Sequence, residues 1–259
     1  MKDDFEIIKY KFDKEIKIIP IFDLHYGSIG CNLKEWKEFV DYVLSHDDVY
    51  VVIGGDLVDN QTKNSHNPFE CTVKPSEQKR WLAEQLKQIK HRILCVTSGN
   101  HEKRKDNKAA DDDFMYDVCM KLDIEDKYRP NMCFLKVQLG ERNEAYRQTY
   151  MIGVTHGSGG GVLTGSSINK NERFGYTIEG LDMLITGHSH KSAITKPAKI
   201  MFDSKNDKVT MKPFYAVTAT SWLDYGGYAL AQQLNPASHM FQEITLTKQK
   251  TKSIEIKVK

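Results

Sequence analysis

Apolar positions along the first half of the chain alternate between two periods. Residues 16–22 form an apolar run closed by Asp23, which predicts a buried strand. Leu33, Trp36, Phe39, Val40, Val43 and Leu44 then recur at helical spacing, with Asn32 as the N-cap. Residues 49–53 are β-branched and end at Gly54-Gly55. Residues 76–89 read as a second amphipathic helix capped by Ser76, residues 93–97 as a third strand, and residues 111–122 as a third helix. Strand-helix-strand-helix-strand implies right-handed crossovers and a largely parallel sheet.

The second half has another texture. Residues 134–139 and 147–154 predict two strands joined by a polar turn at Gly140, and residues 182–186 a further short strand. Residues 193–202, 208–218 and 240–247 are also strand-like, so this half is expected to be mostly antiparallel and to complete a second sheet. The Gly-, Ser- and Thr-rich stretch 157–170 reads as a mobile loop. The whole, residues 1–259, is expected to form one domain built on two sheets.

Composition narrows the class without naming a function. With 259 residues, 40% hydrophobic and 28% charged, the chain is neither collagenous, disordered nor disulfide-stapled. No apolar stretch is long enough for a membrane span, and the Met1-Lys2-Asp3-Asp4 start does not suit a signal peptide. The net charge of +2 is too small to mark a polyanion binder by itself. Five cysteines without a C-x-x-C pair argue for a reduced, cytoplasmic protein without a thiolate zinc site.

The informative chemistry lies where the apolar runs stop. They end in Asp23-Leu24-His25, in Gly55-Asp56-Leu57-Val58-Asp59-Asn60 and in Gly99-Asn100-His101-Glu102; later runs lead into His156-Gly157 and Gly187-His188-Ser189-His190. Each places carboxylate, amide or imidazole groups just past a strand's carboxyl end, the edge where α/β sheets bind ligands. Residues i and i+2 of an extended segment point the same way, so Asp23 with His25, and His188 with His190, could each aim into one pocket. Singly, each piece is commonplace: a turn, a helix entry or a satisfied histidine. Together, the carboxylate, amide and imidazole groups suit divalent transition metals and are too many for one tetrahedral ion.

In order and spacing this set resembles the calcineurin-like metallophosphoesterase superfamily: D-x-H, G-D-x-x-D, G-N-H-[DE], a later H, and G-H-x-H, spread from Asp23 to His190. The resemblance implies a four-layer α/β/β/α sandwich of two mixed sheets flanked by helices. It also implies two divalent metal ions, Mn²⁺ foremost and Fe or Zn²⁺ as alternatives. Asp23, His25 and His190 would bind one ion, Asn100, His156 and His188 the other, and Asp56 would bridge them. His101 would be catalytic without binding metal, Asp59 would orient its neighbours, and a metal-bridging hydroxide would attack phosphorus.

Substrate is less sharply written. The arginine that follows the second Asp in the superfamily's protein phosphatases is replaced here by Asn60-Gln61. Asp23 to Ser28 and His156-Gly157-Ser158 are similar to the exonuclease subunit of archaeal polymerase D, and more loosely to Mre11-type nucleases. The resemblance thus implies a phosphodiesterase, with DNA the leading substrate. A small-molecule nucleotide phosphodiesterase or phosphomonoesterase is the alternative; a non-catalytic scaffold would have lost ligands that are all present. Asn60, Lys63 and Arg104 are candidate substrate contacts. Lys103, Lys105, Lys170, Arg173 and Lys191, with His66, could complete a basic rim, and Tyr26, Phe69 and Tyr176 could stack bases. Trp36 and Trp81 read as core, and Asp111 to Asp113 as a helix-start acid run. A homodimer would widen a surface for long nucleic acid.

Overall fold

A computed structural model describes residues 4–65, 70–141, 147–159, 161, 163–226, 230, 236 and 240–259. His66 and Phe69, both expected near the substrate, lie outside the described residues, as do Met1 to Asp3. The strands are β1 (Ile7–Phe12), β2 (Ile16–Ile21), β3 (Val49–Ile53), β4 (Ile93–Val96), β5 (Met132–Leu139), β6 (Gln148–Thr155), β7 (Met183–Thr186), β8 (Ala193–Thr195), β9 (Ala198–Asp203), β10 (Lys208–Pro213), β11 (Tyr215–Thr218), β12 (Gln242–Leu246) and β13 (Ile254–Val258). The helices are α1 (Leu33–Ser45), α2 (Pro75–Ile89), α3 (Lys105–Ala109), α4 (Phe114–Lys121) and α5 (Thr164–Tyr176).

Two sheets face each other. One has the order β13-β12-β2-β3-β4, with β2, β3 and β4 parallel as expected. The other has the order β1-β5-β6-β7-β11-β8 and is mixed, not mostly antiparallel: β6, β7 and β11 run parallel, and so do β1 and β5. Nor do the late strands all join the second sheet. β12 and β13 return to the first, while β9 and β10, among the described residues, pair only with each other.

The side chains explain the layers. In β2, Ile16 and Ile18 face the opposite sheet while Ile19 and Ile21 face the helices, so both faces are buried and no polar alternation survives. Trp36, Phe39, Val40 and Val43 of α1, with Leu82 and Leu86 of α2, cover the helix side of this sheet. Cys133, Leu135 and Val137 of β5 and Tyr150, Ile152 and Val154 of β6 fill the space between the sheets. On the outer face of the second sheet lies α5, where Asn171 Nδ2 donates to Thr186 Oγ1 (2.7 Å) and Thr218 Oγ1 (2.8 Å). The result is the α/β/β/α sandwich. Among the described residues, no helix is long and apolar enough to cross a membrane.

Local departures have local causes. Pro75 starts α2 at a position whose N–H needs no partner, so Ser76 sits inside the first turn and caps nothing. Asp113, not Asp111, caps α4 by accepting from Tyr116 N (3.1 Å), and Asp112 accepts from Lys79 (2.9 Å). The stretch read as a loop to residue 170 becomes helical at Thr164: its small residues hid the face that carries Asn171 and Gly175 against the sheet.

Candidate metal centre

Because β2, β3, β4, β6 and β7 end at the same rim, their five polar termini meet there. The backbone ladder continues past the strand ends: Asp23 N donates to Gly55 O (3.1 Å), His25 N to Asp56 O (3.0 Å) and Gly187 N to His156 O (3.0 Å). From the last third of the chain, Trp222 N and Ser221 Oγ both donate to Asp23 O (3.1 Å each), ties the sequence did not announce. Gly55, at φ +91°, approaches Gly99 so closely that a Cβ there would lie 2.0 Å from Gly99 N.

These ties hold an unusual backbone. Asp23, His25, Asp56, His188 and His190 all have φ between 51° and 66°. Left-handed geometry costs about 1 kcal/mol or more per non-glycine residue and concentrates at functional sites. It also corrects the expectation of extended i, i+2 pairs. His188 and His190 do not share one pocket but turn to two adjacent groups. His190 Nε2 lies 3.1 Å from His25 Nε2 and 3.5 Å from Asp23 Oδ1. His188 Nδ1 lies 3.1 Å from His156 Nε2, while its backbone N–H donates to Asp23 Oδ2 (2.8 Å).

Among the described residues three sets of potential ligand atoms follow, the atoms of each within 4.8 Å of one another: Asp23, His25 and His190; His25, Asp56 and His101; Asp56, His156 and His188. Asn100 Oδ1 joins the third at 3.0 Å from His156 Nε2. The donor chemistry fits cations. Asp23 Oδ1 is buried without a hydrogen-bond partner. The facing Nε2 atoms of His25 and His190 can share at most one proton. His156 Nδ1 meets Gly54 O at 2.9 Å, and its Nε2 is surrounded by Asp56 Oδ2 (3.1 Å), Asn100 Oδ1 and His188 Nδ1. One proton cannot satisfy all of these acceptors, whereas a divalent transition metal accepts such a mixed nitrogen and oxygen set.

Protonation follows the same geometry. Burial, with His101 and His190 beside it, pushes His25 well below the ordinary imidazole range, leaving it neutral and able to coordinate. Burial also works against charge on His156, but the Asp56 carboxylate outweighs it and raises the imidazole to about 9. For Asp56, burial is likewise overcome by the His156 hydrogen bond, and its pKa is depressed. His101 is raised: burial opposes the proton, and Asp59 and Asp56 favour it.

His101 belongs to the second of these sets but to neither the first nor the third. Its Nδ1 lies 2.9 Å from Asp59 O and 3.2 Å from Asp59 Oδ1, and its Nε2 is 3.9 Å from Asp56 Oδ2. Its ring meets that of His25 edge-on at 4.4 Å. Asp59 Oδ1 is also 4.0 Å from His25 Nδ1, so one carboxylate backs both imidazoles.

Glu102 was not among the candidate site residues, yet it braces the site. Its fully buried carboxylate accepts the backbone N–H of Asp56 (2.9 Å), Leu57 (2.7 Å) and Gly99 (2.9 Å), tying the β3 and β4 exits together. Burial, then the charge of Asp56, raises its pKa. Its place as the last letter of Gly99-Asn100-His101-Glu102 was the available signal.

The expected substrate contacts are placed differently from one another. Asn60 is buried: its N–H donates to Gln78 Oε1 (2.8 Å), and its amide to His101 O (2.9 Å) and Asn107 Oδ1 (2.8 Å). Arg104 reaches Asp59 O (2.9 Å) and His101 Nδ1 (2.8 Å). Lys103 is bound to Pro130 O and Asn131 Oδ1, and Lys191 to Gly161 O. Lys63 is exposed. Tyr26 stacks on Trp81 at 3.6 Å against the core, and Tyr176 is half exposed beside Phe214.

Fold and rim together define a class, an α/β/β/α protein whose shared strand ends gather candidate metal ligands. The family model for calcineurin-like phosphoesterases matches residues 17–192, more than half of the chain. The chain belongs to that family and is a metal-dependent phosphoester hydrolase. No curated protein matches the sequence. Similar solved structures include the calcineurin-like phosphoesterase YfkN from Bacillus subtilis (12% identity, TM-score 0.45, covering 95% of this chain and 90% of that one). A metallophosphoesterase from Sphaerobacter thermophilus gives 12%, 0.41, 94% and 88%. Vps29 from Chaetomium thermophilum gives 12%, 0.40, 94% and 95%.

Proposed function

We propose that the chain hydrolyses phosphodiester bonds, with DNA the leading substrate, and that two Mn²⁺ ions serve it, Fe or Zn²⁺ being the alternatives. Asp23, His25 and His190 hold one ion, Asn100, His156 and His188 the other, and Asp56 serves both. When bound, the pair supplies an activated water and neutralises charge on the phosphoryl oxygens. Asp59 holds His101 from behind, at its Nδ1, and places its charge 4.0 Å from His25 Nδ1. His101 is thereby aimed with Nε2 toward Asp56, where it gives a proton to the departing alkoxide. Glu102 keeps Asp56 and Asn100 on neighbouring loops in register.

One observation carries the choice of a diester. Arg104, Lys103 and Lys191, the cations nearest in sequence to the ligands, are each engaged within the protein. A dianionic monoester calls for a guanidinium free to grip it in a fork; a monoanionic diester does not. We take residues 1–259 as one catalytic unit in a reducing, cytoplasmic setting that suits its five free cysteines, and as a homodimer.

Bis-p-nitrophenyl phosphate, p-nitrophenyl phosphate, and single- and double-stranded DNA, each with Mn²⁺ and with chelator, test the reading. Diester and DNA cleavage that needs Mn²⁺ is expected. Strong monoester or nucleotide hydrolysis without cleavage of either DNA form overturns it.

A further inference from the structure

The β9–β10 hairpin is inside out. Cross-strand pairs Phe202↔Val209, Ile200↔Met211 and Ala198↔Pro213 put six uncharged apolar residues on one face. The other face carries Lys199, Met201, Asp203, Lys208, Thr210 and Lys212. Water meets the wrong one. Ile200, Phe202, Val209 and Met211 are 69%, 81%, 63% and 76% exposed. At the base of the hairpin the charged face is turned to the body, with Lys199 Nζ donating to Tyr176 O (3.0 Å) and Ile178 O (2.5 Å), and Lys212 Nζ to Gly180 O (3.2 Å).

This arrangement is not the result of a loose turn. Asp203 accepts from Lys205 N (3.1 Å), Asn206 N (3.2 Å) and Asn206 Nδ2 (2.7 Å), which fixes the turn and with it the register. A two-stranded hairpin is marginal alone, and contiguous apolar patches of this kind mark contact surfaces.

We propose that this face is the contact between two copies of the chain. The proposal gives a surface to the homodimer suggested above and is independent of the phosphoesterase chemistry. A face without charge offers nothing to nucleic acid or to an acidic or basic partner, but under a two-fold axis it is its own complement. The four exposed side chains amount to roughly 500 Å² per copy, so a two-fold contact reaches the ~1,000 Å² that a specific interface needs. Ser204, Lys205, Asn206 and Asp207 at the tip are polar, which disfavours tip-first entry into a lipid surface. The hairpin also lies away from the rim: β8 runs antiparallel to β11, carrying the chain from His190 to the opposite end of β7.

Sedimentation velocity of the full chain across micromolar concentrations tests this. A concentration-dependent dimer is expected, with its dissociation constant raised at least about tenfold in Phe202→Lys and in Met211→Lys. Lys205→Glu, at the polar tip, should leave it unchanged. Thermal unfolding checks each variant, and Met211→Lys decides if Phe202→Lys fails to fold. A chain that stays monomeric overturns both the dimer and its surface. A dimer indifferent to both lysine variants overturns the surface alone. A monomer that co-sediments with vesicles of phosphatidylcholine and phosphatidylserine assigns the face to a membrane and overturns the proposal.

Discussion

The rim of the sheets and the β9–β10 hairpin break the usual pattern of burial in opposite senses. At the rim, Asp23, His25, Asp56 and His156 are buried although they are polar. On the hairpin, Ile200, Phe202, Val209 and Met211 are exposed although they are apolar. Both are held by well-made local structure: ladder bonds past the strand ends in one case, an Asp203-centred turn in the other. Sound scaffolding around an unfavourable surface indicates that something outside the chain completes it. The rim offers lone pairs without enough protons, which calls for cations; the hairpin offers apolar area without charge, which calls for another apolar face.

Asp56→Ala is the sharpest way to break the first half of that comparison. It removes the carboxylate common to two of the ligand sets and the acceptor for His101 N (2.7 Å). Turnover of a chromogenic diester in Mn²⁺ should fall by about 10³-fold or more, the scale on which electrostatic stabilisation acts. The rise in melting temperature that Mn²⁺ produces in the parent, by binding the folded state alone, should shrink with it. If both survive, the rim is not completed by metal.

His101→Ala separates chemistry from coordination. Because its Nδ1 is held by Asp59 and the first and third ligand sets do not include it, metal content by elemental analysis should stay the same. Turnover should drop by about 10²- to 10⁴-fold, the range for losing a positioned acid. Undiminished turnover with bound metal would remove His101 from the mechanism.

Glu102→Gln probes the scaffolding itself. Oε2 accepts both Asp56 N and Gly99 N, and Oε1 accepts Leu57 N. An amide must turn one NH₂ toward a backbone N–H, leaving a buried donor unpaired at a cost of about 1–3 kcal/mol. Urea unfolding in chelator reads that loss directly. An unchanged midpoint would mean that the loop exits need no brace.

How much of this contrast could be read beforehand depends on what each feature writes into local order. The gathering at the rim was legible because each candidate ligand directly follows a strand or its turn, so Asp23, His25, Asp56, Asn100, His156, His188 and His190 appear as polar stops to apolar runs. The left-handed backbone of Asp23, His25, Asp56, His188 and His190 was not: at Asp23 and His25 the turn is tied to Gly55 O, Asp56 O and Trp222 N, partners distant in sequence. Strands β2, β3 and β4 declared themselves by continuous burial, and Asn32 by its cap. Strands β1 and β13 were missed because half-exposed edge strands mix Lys with apolar residues. The hairpin was read as strand but assigned to the second sheet: its alternation gives a face, and sequence alone does not say which way that face points.

The smallest effect concerns a buried carboxylate completed from within the chain, the control for those at the rim. Glu243 receives hydrogen bonds from Lys259 Nζ (2.8 Å) and from the Tyr42 hydroxyl. Burial alone would raise its pKa, but Lys259 and Tyr42 outweigh burial and hold it below the usual carboxylate value. A depressed folded-state pKa contributes stability that is present above the unfolded value. That contribution disappears as pH falls through the folded one. Urea midpoints of the parent should therefore decline from about pH 5 toward pH 3 more steeply than those of Glu243→Gln, which has no carboxylate to protonate there. The difference between the two slopes should be the same with and without Mn²⁺, because nothing at this position waits for a cation. A slope difference that depended on Mn²⁺ would mean that the carboxylates paired within the chain and those at the rim do not titrate as separate classes.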